Sequence, residues 1–214
     1  MGSVVDLLLI AVLAINLFVL GVSRVRAVIR AVAVQGMLIG ALPLLVEQSF
    51  ELRNILLALG TVGLKGFVIP GLLNYAMREV AIRREVEPLI DYIPSILLGA
   101  VGTALALVFA STLPLAREHQ QSLLVPTALA TVLTGFLTLT TRKIAINQVL
   151  GYLLLENGIF VFGMLLLGAM PFLVEVGVLL DLFTGVFVMG IIINHISREF
   201  ASVSTEHLSE LKEE

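Results

Sequence analysis

Long apolar runs, each about the length of a membrane-crossing helix, fill most of this sequence. A bilayer core of about 30 Å needs roughly 20 apolar residues in a helix, and charges, proline or polar clusters bound such runs. The predicted fold is therefore an all-α, polytopic membrane helix bundle. It has about seven transmembrane helices, predicted at Val4–Val22, Ala27–Val46, Asn54–Ala76, Tyr92–Leu113, Leu123–Thr140, Ile144–Gly168 and Phe172–Ile196.

The distribution of Lys and Arg between the loops predicts the orientation, because cytoplasmic loops are enriched in both residues. The longest loop, Met77–Asp91, contains Pro88 and several charges, as a water-exposed loop does. The other side of the bundle has only Arg53 and Arg117. The N-terminus is predicted outside and the C-terminus inside, the inner side carrying Arg24, Arg26, Arg30, Arg78, Arg83, Arg84, Arg142, Lys143, Arg198 and Lys212.

The two halves of the chain look related when one is shifted by about 120 residues. Asn74 then aligns with Asn194, and the pair Gln35–Gly36 aligns with Glu156–Asn157. The pattern predicts a parallel arrangement of three helices, one connecting helix and three more helices. The corresponding divisions are a first repeat over 1–80, a charged loop and connecting helix over 81–121, a three-helix domain over 122–200 and a cytoplasmic tail over 201–214.

Composition excludes a water-soluble fold, since 58% of the residues are apolar and 14% are charged, against about 25% charged in soluble domains. The sequence has no Cys, so it offers no thiolate ligand for zinc or an iron–sulfur cluster, and we expect no cofactor in this chain. A net charge of −3 gives no indication of nucleic-acid binding. The N-terminus lacks a basic region and a cleavage signal, so the first helix is expected to be retained.

Three charged residues lie inside the apolar runs, where the membrane makes charge costly. Glu156 is roughly 18 Å from the inner end of its helix at 1.5 Å per residue, Asp181 roughly 21 Å and Lys65 roughly 17 Å. Intramembrane ionisable residues commonly form proton relays. We therefore interpret Glu156, Asp181 and Lys65 as parts of a proton-translocation path. The alternative is structural: Lys65 forms an ion pair with one carboxylate, extends towards a headgroup, or pairs with a neighbouring subunit.

Further polar residues are secondary candidates for the same path. Gln148 and Asn157 can hydrogen-bond a path, although polar side chains also hold membrane helices together. His195, near the inner end of the last predicted helix, can deliver protons, although a histidine at that place also simply faces water.

The C-terminal third, residues 123–199, resembles the small three-helix K-type subunit of bacterial complex I and its relatives in cation antiporters. The resemblance is carried by the basic loop that begins at Thr141, by Gly151 followed by Glu156 in mid-helix, and by Asp181 in the next helix. The whole chain, with its four preceding helices and a tail reading STEHLSELKEE, resembles component E of hydrogenase 4, a family of membrane subunits of formate-hydrogenlyase-type group 4 hydrogenases.

The resemblance implies a non-redox subunit of an oxidoreductase complex in a prokaryotic inner membrane. Glu156 and Asp181 would stand where the K-type subunit has two glutamates, although the second acid is Asp here and Asn157 follows Glu156 directly, one turn earlier than in the family. Antiporter-like and H-type membrane subunits and a peripheral hydrogenase arm are the implied partners. Iron–sulfur and nickel–iron centres are expected on those partner subunits, and the translocated ion is a proton or another cation.

Two other classes of protein are compatible with the sequence. Some secondary transporters also use two parallel three-helix repeats joined by one helix. Their helix-breaking prolines recur in both repeats, whereas Pro43 and Pro70 have no proline partner at the shifted positions. The second alternative is a structural scaffold between larger subunits, in which the charges only fix helix interfaces.

Overall fold

The computed structural model of the chain describes residues 2–46, 52–79, 89–113 and 123–166, together with Gly190. A π-helical turn, Leu64–Val68, joins the third α-helix to the fourth, and a short 3₁₀ turn, Met164–Leu166, follows the last one. The α-helices of these residues are α1 Gly2–Gly21, α2 Val25–Val46, α3 Leu52–Gly63, α4 Ile69–Glu79, α5 Tyr92–Thr112, α6 Leu124–Thr141 and α7 Ala145–Gly163.

Each of the first six predicted runs is helical in the structure. Five helices, α1, α2, α5, α6 and α7, are long and apolar enough to cross a membrane. The third run is α3, the π-turn and α4 in continuous succession; it extends to Glu79, so the predicted loop begins later than Met77. The seventh predicted helix, Phe172–Ile196, and the tail 201–214 lie outside the described residues. The orientation and the domain divisions stay predictions.

Pro70 gives a physical reason for the π-turn. Proline lacks an N–H and its ring collides with the carbonyl of the residue four positions earlier, so an α-helix cannot continue regularly through it. In the preceding turn the Ile69 N–H bonds to the Leu64 oxygen, five residues back rather than four. The wider turn shifts the register of the helix at Lys65, which lies inside it.

Close approach of α6 and α7 depends on glycine. A Cβ on Gly151 would lie 2.6 Å from the Leu139 nitrogen, and a Cβ on Gly158 would lie 2.6 Å from the Val132 nitrogen. These are backbone atoms that no side-chain rearrangement can move aside. Glycine therefore lets the two helices pack backbone against backbone, as small residues do at membrane helix interfaces.

The remaining helices pack in a way that is compatible with the predicted repeat. Helix α1 packs on α6, and α2 packs on α7, which are the pairs that the shift of about 120 residues aligns. Three hydrogen bonds join residues whose separation in sequence is close to this shift. Asn16 bonds to Thr131, which lies 115 residues later; Arg142 bonds to the Leu20 carbonyl and Asn157 to Gln35, each across 122 residues. Equivalent helices meet in this way near a two-fold axis, although the repeat itself stays a prediction.

Along the bundle, the core consists of two apolar clusters with a layer of polar residues between them. We call the end that carries the exposed residues Arg24, Arg26, Arg30 and Lys143 the arginine-rich end. One apolar cluster lies towards it and includes Val25, Ile29, Val32, Leu73, Leu150 and Leu154. A second lies towards the opposite end and includes Leu9, Val12, Ile39, Leu42, Leu124 and Val161. Between them lies the polar layer, formed by Asn16, Gln35, Lys65, Thr131, Glu156 and Asn157.

Candidate functional site

The centre of the polar layer is an ion pair between the π-turn and α7. The Lys65 Nζ atom lies 3.1 Å from the Glu156 Oε1 atom. Both residues are buried, with 5% and 2% of their surface exposed. The Lys65 Nζ also donates a hydrogen bond of 2.9 Å to the Asn157 Oδ1. Two consecutive residues of α7 therefore hold one ammonium group.

Local features of three helices set this geometry. A Cβ on Gly36 of α2 would lie 2.7 Å from the Lys65 Cβ, so glycine makes the space that the lysine stem occupies. On α7, Phe160 follows Glu156 by one turn, and its ring centroid lies 5.5 Å from the Lys65 Nζ, within the range of a cation–π contact. The pair is thus enclosed by an aromatic ring and by the backbone of α2.

A chain of side-chain hydrogen bonds leads away from the pair through three amides. Asn157 Nδ2 donates to Gln35 Oε1 over 3.1 Å, and Gln35 Nε2 donates to Asn16 Oδ1 over 2.7 Å. Asn16 Nδ2 then donates to Thr131 Oγ1 over 2.8 Å, and that hydroxyl donates to the Thr127 carbonyl over 2.7 Å. The chain joins α7, α2, α1 and α6 at one depth of the bundle.

The direction of this chain follows from its charged end. An ammonium group has donors but no acceptor, so the Asn157 oxygen must face Lys65 and its NH₂ group must face Gln35. The same argument fixes the orientation of Gln35 and then of Asn16. Every amide oxygen in the chain points towards Lys65, which places partial negative charge nearest the cation, and hydrogen bonds in such a chain polarise one another.

Burial makes this arrangement energetically demanding. Moving a charge into a low-dielectric interior carries an effective penalty of several kcal/mol per ion, which mutual attraction offsets only with good geometry and further hydrogen bonds. The Glu156 contact and the Asn157 bond supply both to Lys65.

The structure brings together three of the residues that the sequence singled out: Lys65, Glu156 and Asn157. Gln148 does not join them. It is exposed at the start of α7, where its Nε2 donates to the Arg142 carbonyl over 3.3 Å. Asp181 and His195 lie outside the described residues.

Sequence reasoning missed Asn16 and Thr131 and gave Gln35 no role of its own. Asn16 is the one amide in the apolar run of α1, and it is fully buried. A lone amide in such a run was a usable signal, because buried polar groups in a membrane find a partner. Thr131 gave no signal, since α6 has several threonines that bond their own helix, as Thr138 does with the Thr134 carbonyl.

A second buried cation lies outside the polar layer, between α6 and α7. Arg142 is 3% exposed, its Nη2 donates to the Leu20 carbonyl over 3.0 Å, and its guanidinium carbon lies 5.4 Å from the centroid of the Tyr92 ring. Burial lowers the pKa of Arg142, and the neighbouring Tyr92 acts in the opposite direction. An arginine side chain nonetheless stays protonated in proteins.

Within the described part of the chain, no group of three or more His, Cys, Asp or Glu residues could hold a metal ion. The chemistry that these residues offer is acid–base chemistry and hydrogen bonding. The groups that can exchange a proton at the site are the Lys65 amine and the Glu156 carboxyl, at hydrogen-bonding distance from each other.

Comparison with known proteins finds relatives of this chain in bacteria. No family model matches it, and no solved structure matches it. It is 34% identical over 192 residues to the uncharacterized protein Rv0085 of Mycobacterium tuberculosis, an alignment that covers 88% of this chain and 86% of the relative. The chain belongs to the family of that mycobacterial protein.

A more distant similarity connects the chain to a named complex subunit. It is 29% identical over 150 residues to hydrogenase-4 component E of Escherichia coli and to that of Shigella flexneri. These alignments cover 69% of this chain and 68% of the relatives. The resemblance predicted from the sequence is thus supported as a distant homology.

Proposed function

We propose that this chain is a membrane-arm subunit of a group 4 hydrogenase-type complex and that its Lys65–Glu156 pair is a station on a proton path. The observation that carries the proposal is the buried contact of 3.1 Å between an ammonium and a carboxylate, in a polar layer enclosed by two apolar clusters. Intramembrane ionisable residues are functional by default, and the distant homology to hydrogenase-4 component E supports the assembly.

The chemistry at the pair is a reversible proton transfer. When the proton moves from Lys65 Nζ to Glu156 Oε1, an N–H bond breaks and an O–H bond forms. The ammonium–carboxylate pair becomes an amine beside a carboxylic acid, and its net charge stays zero. Because the pair is buried, a change in a neighbouring charge acts on it with little screening and can shift the balance between the two forms. That response couples the pair to events elsewhere in the complex.

The rest of the complex supplies what this chain does not. Electron transfer, with iron–sulfur and nickel–iron centres, belongs to a peripheral hydrogenase arm, and antiporter-like and H-type membrane subunits continue the path. Asp181 and His195 remain candidates for further stations, and Asn157 and Gln35 hold the pair in place. The inner membrane of a prokaryotic cell and an inner C-terminus complete the proposal, and the reaction proposed for the Lys65–Glu156 pair is proton exchange.

The test is the Glu156→Gln variant in the assembled complex reconstituted into vesicles. Glutamine keeps the size of the side chain and a hydrogen-bond acceptor for Lys65, but it cannot take a proton. We expect electron transfer to continue and the number of protons moved per electron to fall. Subunit composition of the purified complex is the control for assembly. Normal translocation by a complete Glu156→Gln complex would contradict the proposal.

A structural scaffold is the second candidate, because the hydrogen-bonded chain itself connects α1, α2, α6 and α7. Under that alternative the pair and the amides only fix helix positions. A double variant, Lys65→Met with Glu156→Leu, separates the two functions, since apolar residues often replace a buried ion pair at little cost. If the pair is only structural, the complex with this double variant should assemble and translocate protons normally. If the pair is a relay, the complex should assemble but lose proton translocation.

A further inference from the structure

A small cavity lies beside Lys65, the basic member of the Lys65–Glu156 pair. It measures about 10 Å³ as the space open to the centre of a water-sized sphere, which is close to the minimum for one water molecule. Lys65 and Asn157 line its inner wall with carbon atoms only, and the other lining residues belong to α2, α4 and α7. The cavity is thus a space of molecular size that touches the side-chain stem of Lys65.

The cavity lies on the side of Lys65 that faces the arginine-rich end. Helices α2 and α7 start at that end, and their lining residues come before the polar-layer residues Gln35 and Asn157 in sequence. Helix α4 runs towards that end, and its lining residues follow Lys65. The three helices therefore agree on where the cavity sits. It lies between the pair and the end that the Lys and Arg counts predict to be cytoplasmic.

The wall beyond Lys65 and Asn157 is apolar. We call its side chains the apolar plug: Ile29, Val32, Ile69, Leu73, Leu150 and Leu153. A cavity that holds water needs two to four polar partners for it, and apolar cavities stay empty. The plug therefore keeps the space dry in this conformation, and a dry gap does not conduct protons.

A second observation concerns a buried amide beyond the plug. Asn147 lies three residues before Leu150 on α7, about 4.5 Å nearer the arginine-rich end at the helical rise. It is 2% exposed, and both polar atoms of its side chain lack a hydrogen-bond partner among the described residues. A buried amide in that condition calls for bound water. Asn147 and Lys65 thus provide polar groups on the two sides of the plug.

We propose that the Lys65–Glu156 pair exchanges protons with the arginine-rich end through this cavity, and that the apolar plug closes the route by excluding water. The inference rests on the proposed function and adds a direction and a gate to it. Hydrophobic constrictions gate channels by dewetting. A small separation of α4 from α2 and α7 admits a water chain between Asn147 and Lys65, and repacking of the plug removes it. No bond other than hydrogen bonds changes in the gating step.

The test introduces a polar group into the plug. Val32→Thr keeps the side-chain shape and replaces one methyl group with a hydroxyl, which favours water in the cavity. The readout is passive proton leak through vesicles that contain the complete complex without electron donor. We expect a rise of roughly fivefold, the change in water occupancy that one hydrogen bond of about 1 kcal/mol gives. The matched control is Val34→Thr on the same helix, where the side chain is 47% exposed on the outside of the bundle.

Two further variants test the opposite direction. Val32→Ile fills the cavity and should slow proton uptake during turnover, since one methylene occupies most of the space for a water molecule. Asn147→Leu removes the polar group beyond the plug and should also slow uptake, while Gln148→Leu, at an exposed neighbouring position, should not. These measurements remain decisive if Val32→Thr fails to assemble.

The outcomes separate this inference from the proposed function. A leak that is equal in Val32→Thr and Val34→Thr, or unchanged uptake in both Val32→Ile and Asn147→Leu, overturns the gated route. Either result would leave the proposed function standing, because the Glu156→Gln complex could still lose proton translocation. Normal translocation by the Glu156→Gln complex overturns the proposed function itself. A Val32→Thr leak that persists when Glu156→Gln is added shows a route that bypasses the pair and also overturns the inference.

Discussion

Lys65 and Arg142 are both buried cations in one small helix bundle, and their surroundings differ in kind. Lys65 lies in mid-bundle against a carboxylate 3.1 Å away. Arg142 lies at the arginine-rich end against the Leu20 carbonyl and the Tyr92 ring, and it makes no contact with a carboxylate among the described residues. One cation therefore has a partner that can accept its proton, and the other has partners that cannot.

The chemistry of the two side chains agrees with this difference. A guanidinium group stays protonated and can bind several acceptors in fixed directions, which suits an anchor between helices. A lysine amine can donate or accept a proton, as catalytic lysines do. Burial alone does not make a cation functional. The ability of the cation and its partner to exchange a proton distinguishes the proposed relay at Lys65 from the anchor at Arg142.

Exchanging lysine for arginine at position 65, and arginine for lysine at position 142, tests the difference between the two cations most severely. Lys65→Arg keeps a positive charge near Glu156 but removes the ability to release a proton, so we expect proton translocation by the assembled complex to be lost. Arg142→Lys keeps a charge at a site that needs only an anchor, and it should leave translocation near normal. The measurement is protons moved per electron in vesicles. Equal losses in both variants would erase the proposed difference between the two cations.

Breaking the pair should have the largest effect on stability. Glu156→Leu leaves a buried ammonium without its carboxylate and should destabilise the fold by about 3–5 kcal/mol. The double variant with Lys65→Met should recover most of that loss, because no charge remains unpaired. Thermal unfolding in detergent measures both. A double variant as unstable as Glu156→Leu alone would show that the pair is not the source of the loss.

Loss of an amide from the polar layer should have an intermediate effect. Gln35→Leu leaves Asn157 Nδ2 without its acceptor and Asn16 Oδ1 without its donor. Both groups are neutral, so each loss should lie near the low end of about 1–3 kcal/mol, and their sum should stay below the cost of an unpaired ammonium. Because Asn157 then holds Lys65 less firmly, translocation should slow without stopping. Gln148→Leu, at an exposed position, is the control for stability and rate. Equal behaviour of the two variants would remove Gln35 from the account.

The smallest expected effect is at the anchor. Tyr92→Leu removes the ring beside Arg142 and should cost about 0.5–1 kcal/mol in stability, as loss of a cation–π contact does. Translocation should be unaffected, because the Leu20 carbonyl still holds the guanidinium. A Tyr92→Leu complex that folds normally but no longer translocates would make Arg142 part of the path.

Much of the fold was predictable from apolar run lengths, because a membrane requires a helix of fixed length. Glu156 and Lys65 were found for a similar reason: a charge inside such a run is costly and conspicuous. The sequence does not predict their contact with each other, since that contact depends on how helices distant in sequence meet. The sequence places Arg142 in a loop, and sequence position cannot show that its guanidinium folds back onto Leu20 and Tyr92. The π-turn at Lys65 arises from Pro70 and from packing on α2 together.

The most direct test of the central claim follows the protonation of Glu156 itself. Infrared difference spectra of the working complex should show the carbonyl stretch of a protonated carboxylic acid appearing and disappearing with electron delivery. That band should be absent in Glu156→Gln and unchanged in Arg142→Lys. A wild-type complex that translocates protons without this band would contradict proton transfer between Lys65 and Glu156.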